Sequence, residues 1–143
     1  MQHLLQHGAD VDARDGKGRT ALIDAANRGL TEAVQILLDA GADIEAKTKL
    51  DGTTALMLAA HDNHLDIVQM LLNRNANINA RNGNGESALM LASARGWVDV
   101  VRILLQRGAD INARDHLENT ALRNAEKYGG PAVTQLLRSA GAT

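Results

Sequence analysis

Apolar and polar positions alternate along this chain with a helical period, in blocks that recur. Between Ala21 and Arg28 the pattern predicts a short helix, and Gly29 permits a left-handed turn out of it. From Thr31 to Asp39 a second helix is predicted, with Val34, Leu37 and Leu38 on one face. The same pair of elements then returns. Gly8, Gly41, Asn75, Gly108 and Gly141 share one frame and are separated by 33, 34, 33 and 33 positions. Thr20-Ala21-Leu22, Thr54-Ala55-Leu56, Ser87-Ala88-Leu89 and Thr120-Ala121-Leu122 align in that frame as well. A unit of this length buries its apolar face only against its neighbours, so the pattern implies a solenoid of stacked helix pairs.

The recurring blocks are TALIDAANRG, TALMLAAHDN, SALMLASARG and TALRNAEKYG, followed by VQILLDAGADIEA, VQMLLNRNANINA, VRILLQRGADINA and TQLLRSAGAT. In these the chain resembles the ankyrin repeat, whose signature is a Thr-Pro-Leu-His helix start, Ala-Ala, a Gly turn, Val-x-x-Leu-Leu and Gly-Ala-Asp-x-Asn. The likeness extends over essentially all 143 residues. It departs at Ala21, Ala55, Ala88 and Ala121, where the signature has Pro, and at Ile23, Met57, Met90 and Arg123, where it has His. Thr or Ser ahead of each Ala still offers an N-cap oxygen. The resemblance implies an all-α ankyrin-repeat solenoid of stacked helix-turn-helix units with projecting β-hairpin loops. The wording TALMLAA with INA endings resembles bacterial or environmental ankyrin repeats more than vertebrate ones.

On this frame residues 1–143 form a single ankyrin repeat domain: a partial repeat over 1–13, full repeats over 14–46, 47–80 and 81–113, and a C-terminal capping repeat over 114–143. Leu4 and Leu5 align with Leu37 and Leu38, so the chain starts inside a second helix and more repeats are expected before Met1. Leu22, Leu37 and Leu38 would then lack a full neighbour, which predicts a monomer with some self-association through this N-terminal face. The second repeat carries the one extra residue, KTKLDGTT in place of RDGKGRT, and replaces both flanking glycines by Asn63 and Asn75. Asn tolerates the left-handed conformation, so both turns are expected to persist. In the last repeat Arg138 and Glu126 stand where the others have Leu and small residues, as a polar outer face requires, and Pro131 suits a first helical position. The natural C-terminus is expected near Thr143.

Composition narrows the chemistry. The chain is 45% apolar with Trp97 and Tyr128 its only aromatic residues, so the core is aliphatic. A net charge of -2 offers no general attraction to nucleic acid or anionic membranes. Absence of Cys excludes disulfides and thiolate metal sites, and no run approaches a membrane span. A cytoplasmic, or at least intracellular, protein without membrane insertion is expected.

No catalytic, cofactor or metal site is predicted. His61, Asp62, His64 and Asp66 look like a ligand cluster, but the spacing straddles a turn. Gly16-Lys17-Gly18 and Gly83-Asn84-Gly85 are hairpin tips without phosphate-loop spacing. Asp10, Asp43, Asn77 and Asp110 recur as Asx-turn residues. Asn79 and Asn112 match the pattern that asparaginyl hydroxylases modify in animal ankyrin domains, and equally the family's own turn residues.

What the resemblance implies instead is a partner protein, bound without chemistry by hairpin tips and the exposed positions of the first helices that line the concave side. Carried over residue by residue, the tips give Lys17, Arg19, Leu50, Asp51, Thr53, Asn84, Glu86, His116 and Leu117. The helix ends give Asn27, Arg28, His61, Asp62, Arg95, Lys127 and Tyr128. Arg28, Leu50, Arg95 and Tyr128 lead this set, because Arg and aromatic side chains dominate interface energetics and Leu50 has no folding reason to occupy a tip. Trp97 is expected to cover the loop between adjacent repeats. The alternative is a regulatory or targeting segment of a longer enzyme or secreted effector.

Overall fold

The computed structural model describes residues 10–143. Four helix pairs follow one another: α1 (Ala21–Arg28) with α2 (Thr31–Asp39), α3 (Ala55–His61) with α4 (Leu65–Asn73), α5 (Ala88–Arg95) with α6 (Val98–Gln106), and α7 (Ala121–Asn124) with α8 (Pro131–Ser139). The first helices of successive pairs pack on one another, as do the second helices, giving two parallel layers.

Each first helix starts where the sequence pattern puts it. Thr20, Thr54, Ser87 and Thr120 accept from the backbone N–H three residues on, at 3.2, 3.3, 3.4 and 3.1 Å. Asn63 and Asn75 hold the left-handed turns expected of them, with φ of 62° and 67°. Leu, Val, Ile, Met and Ala make the core, and the alanines Ala25, Ala59, Ala92 and Ala125 are fully buried, letting the first helices approach closely. Ile23, Met57 and Met90 are buried too, while Arg123 in the same frame is exposed. Leu22, Leu37 and Leu38 are buried rather than open, whereas the stub expected to cover them lies almost wholly outside the described residues.

The projecting loops are tight hairpins, each closed by a backbone bond between its arms, from the N–H of Asp15, Thr48, Asn82 and Asp115 to the carbonyl of Arg19, Thr53, Glu86 and Asn119, with an isolated bridge between Arg14 and Thr20 among the described residues. One feature differs from the sequence expectation. In the last unit, α7 continues into a π-helical turn, Ala125–Gly129. Gly129 stays helical there, and the exit moves to Gly130, whose φ of 89° and ψ of 174° suit glycine alone. Pro131 then opens α8 as expected.

The units are also stitched by polar bonds at the repeat period. Arg14 Nη1 donates to Lys47 O at 2.7 Å, Lys47 Nζ to Arg81 O at 3.0 Å, and Arg81 Nη1 to Arg114 O at 2.9 Å. The backbone N–H of Asp43, Asn77 and Asp110 donates to Asp12, Glu45 and Asn79 of the preceding unit, each at 2.8 Å. Trp97 Nε1 donates to His61 O at 2.7 Å, and the His64 ring meets Asn27 O at 3.2 Å in the same frame. The indole therefore bridges units as expected. Glu126 and Arg138 pair at 2.6 Å on the exposed face of the last unit.

Candidate partner-binding surface

The predicted surface residues divide into groups according to how the turns hold them. In three hairpins an Asx side chain at the start accepts two backbone N–H groups. Asp15 takes those of Lys17 and Arg19 (2.8 and 3.0 Å), Asn82 those of Asn84 and Glu86 (2.9 and 3.0 Å), and Asp115 those of Leu117 and Asn119 (both 2.9 Å). These amides hold the Asp15 carboxyl below the usual carboxylate range, Arg19 contributing most.

In the second hairpin Thr48 takes this role. Its hydroxyl donates to Asp51 and accepts from Thr53 N at 3.0 Å, and the Thr48 bond is the main cause of a lowered Asp51 pKa. The extra residue widens the turn: Gly52 N reaches back four residues to Thr48 O, whereas Gly18, Gly85 and Glu118 reach back three. Leu50 is thereby lifted to 94% exposure. Thr53, placed among the contacts by its sequence position, is 7% exposed and closes the turn, so it offers a partner almost nothing.

At the helix ends, four predicted residues from two units form one chain of bonds. His61 Nδ1 donates to Asp62 Oδ1 at 2.8 Å. With its amide nitrogen turned toward Asp62, Asn27 donates to Asp62 Oδ2 at 3.0 Å and accepts from Arg19 Nη1 at 3.2 Å. His64 turns away to Asn27 O, so the His-Asp-Asn-His run does not converge on one point. Among the described residues no group of three or more His, Cys, Asp or Glu gathers around a common centre.

Elsewhere the predicted residues stay apart. Arg28 is exposed and pairs with Asp24 at 3.5 Å, while Arg95 is exposed and makes no ion pair among the described residues. Glu86 accepts from the Asn82 and Asn84 amides at 3.1 and 3.4 Å. His116 N donates to Asn84 O at 3.0 Å, and Leu117 beside it is 80% exposed. Lys127 Nζ lies 5.2 Å from the centre of the Tyr128 ring, which is 66% exposed. Asn79 and Asn112, singled out for modification, use their side-chain oxygens to accept from Asp110 N (2.8 Å) and Thr143 N (3.3 Å) of the following unit.

Sequence reasoning missed Lys49 and Leu58. Both line an open cleft of about 610 Å³ between the first two hairpin tips, together with Lys17, Arg19, Leu50 and Asp51. The available signal was the one-residue insertion, which places Lys49 beside Leu50. The stitching residues Arg14, Lys47 and Arg81 were equally legible as a basic residue recurring in the frame.

A stitched helical frame that carries variable, exposed side chains at its turns defines a repeat scaffold. The family model for ankyrin repeats (3 copies) matches residues 1–82, and the model for a single ankyrin repeat matches residues 84–116. The chain belongs to the ankyrin repeat family, whose members are generally protein-protein interaction modules and typically non-catalytic. Among similar proteins, ankyrin repeat and SOCS box protein 6 of Homo sapiens is 46% identical over 55 residues, covering 34% of this chain and 13% of that protein. Ankyrin repeat domain-containing protein 63 of Homo sapiens is 51% identical over 43 residues, 30% of this chain and 11% of that protein. BCL-6 corepressor-like protein 1 of Mus musculus is 44% identical over 50 residues, 35% of this chain and 3% of that protein. The match thus spans about an eighth of these relatives or less. Among the described residues no helix is long and apolar enough to cross a membrane.

Proposed function

We propose that this chain is a non-catalytic module that binds a partner protein through its hairpin tips and the exposed ends of its first helices. The supporting observation is the contrast within each unit. Backbone, caps and inter-unit bonds repeat in frame, while Lys17, Leu50, Asn84 and Leu117 at the tips, and Arg28, Arg95 and Tyr128 at or beside the helix ends, are exposed and chemically different. A surface already held by the fold loses little ordering entropy on binding.

The test compares the parent chain with a variant carrying Arg28→Ala, Leu50→Ala, Arg95→Ala and Tyr128→Ala as baits in the source organism's lysate, with circular dichroism to establish that both are folded. A protein retained by the parent and lost by the variant supports the reading; equal retention by both refutes this surface. The reading includes a monomer, for which light scattering should return a mass near 15.2 kDa.

A second reading, a regulatory or targeting segment within a longer protein, is favoured by one observation: the similar repeats make up 13% or less of relatives that are much longer. In that case the bait would capture a separately expressed portion of its own full-length protein.

A further inference from the structure

The hairpin tips are not evenly joined. Gly83 N donates to Asp51 O at 2.8 Å, tying the second tip to the third, and His116 N donates to Asn84 O at 3.0 Å, tying the third to the fourth. No backbone bond joins the first tip to the second among the described residues. There the widened turn of the second hairpin leans on the first through a side chain: the Lys49 stem lies over Gly18, where an added Cβ would sit 3.0 Å from Lys49 Cβ and Cγ. The open cleft of about 610 Å³ lies at this discontinuity.

Its lining has an uneven charge state. Lys17, Arg19 and Lys49 bring three cations to the cleft, and none forms an ion pair among the described residues. The two carboxylates in the lining are already committed: Asp15 accepts the N–H groups of Lys17 and Arg19, and Asp51 accepts the Thr48 hydroxyl. Lys17 and Lys49 are exposed, while Arg19 is half-buried and donates to the Asn27 side-chain oxygen; against the two carboxylates, the three cations leave the lining one net positive charge. Leu50 at the rim and half-buried Leu58 at the floor add apolar surface beside those cations.

We propose that this cleft binds a short extended segment of a partner protein in which an acidic side chain lies within one or two residues of a large apolar one, the carboxylate meeting Lys17 and Lys49 and the apolar side chain covering Leu50 and Leu58. The proposal rests on the interaction reading above and specifies where the contact falls and with what chemistry. Charge complementarity selects the occupant, since neither a basic nor a purely apolar segment would satisfy the cations. Phosphate backbones are disfavoured by the adjoining Leu50 and by the overall charge of -2.

The experiment uses an array of immobilised hexapeptides varied at every position, probed with the whole chain, with Lys17→Glu/Lys49→Glu, with Leu50→Asp, with Arg95→Ala/Tyr128→Ala, and with Asp99→Ala/Arg102→Ala as the control. Best binders are re-measured in solution by fluorescence anisotropy. The expected winners pair Asp or Glu with Leu, Ile or Phe. Their affinity should fall about tenfold or more in the charge-reversed variant and several-fold with Leu50→Asp. It should weaken as salt rises and be unchanged by Asp99→Ala/Arg102→Ala, an exposed ion pair on a second helix away from the tips. Lys17, Lys49, Leu50, Arg95 and Tyr128, like the control positions Asp99 and Arg102, are exposed, and thermal melts of every variant should match the parent.

Winners without an acidic residue, winners indifferent to Lys17→Glu/Lys49→Glu, or no winners would each overturn the proposal. Peptides lost only with Arg95→Ala/Tyr128→Ala would overturn this cleft and leave the interaction reading standing. Loss of that wider reading would show differently, as equal lysate capture by the parent and the fourfold alanine variant.

Discussion

Three glycines with the same backbone conformation should respond very differently to one methyl group. Gly108, Gly29 and Gly96 all have positive φ, at 88°, 75° and 77°. A Cβ added at Gly108 meets nothing within 4 Å, so Gly108→Ala carries only the left-handed backbone cost of about 1 kcal/mol. At Gly29 the new atom would stand 2.7 Å from His64 Cε1. That ring can rotate away, but it then gives up its 3.2 Å contact with Asn27 O, adding about 1 kcal/mol for a total near 2. At Gly96 the obstacle is the Gly129 carbonyl oxygen at 2.5 Å, with the Gly129 carbon at 3.4 Å. Backbone cannot rotate aside. The third and fourth units must separate, which adds about 1 to 3 kcal/mol of overpacking strain and brings the total to roughly 3.

Urea unfolding followed by circular dichroism gives the three values, and hydrogen exchange locates the damage. Because each unit is supported by its neighbours, Gly96→Ala should deprotect Ala121–Asn124 and Pro131–Ser139 first and leave Ala55–His61 protected. The order Gly108→Ala, Gly29→Ala, Gly96→Ala is the claim. If Gly96→Ala lies within about 0.5 kcal/mol of Gly108→Ala, the close backbone contact between the last two units does not constrain the fold.

Four further outcomes follow from single contacts. Ser93 is fully buried with its hydroxyl unpartnered where the preceding units have Ala26 and Ala60, so Ser93→Ala should stabilise by about 1 kcal/mol in urea unfolding. Glu118 has φ of 66° where the other hairpins place Gly18, Gly52 and Gly85. Glu118→Gly should raise stability by about 0.5 kcal/mol, net of an exposed Arg114 pair of little value, as a shift of the thermal midpoint would register. Trp97→Phe keeps a ring but loses the 2.7 Å bond to His61 O, and should cost about 1 to 2 kcal/mol by urea unfolding. Asp51, held low mainly by Thr48, contributes stability above the ordinary carboxylate pKa that is lost as pH falls through its lower folded value. Stability should therefore decline from about pH 4 downward, and Thr48→Val should flatten that decline in acid titrations of the urea midpoint.

The sequence by itself determined the repeat frame and nearly every helix boundary. Thr20, Thr54, Ser87 and Thr120 start helices through bonds that span three residues, and Asn63 and Asn75 take left-handed turns on their own conformational preference. Such signals are local, and in a solenoid the next unit follows at a fixed offset, so local reading extends to the whole stack. The recurrence of Arg14, Lys47 and Arg81 had the same legibility but conveys no partner until the units are stacked.

Tertiary structure decided what happens between turns. The position of Thr53 in a tip suggested exposure, and only the folded hairpin shows its amide closing on the Thr48 hydroxyl. The insertion at Lys49-Leu50-Asp51 was visible in the chain, but that it widens one turn, leaves the first two tips without a backbone bond and opens a cleft depends on distances between residues some 33 positions apart. Likewise the approach of Gly96 to Gly129 is a contact between two units. Pattern fixes what each residue does to its own backbone; spacing across the stack decides which side chains remain for a partner.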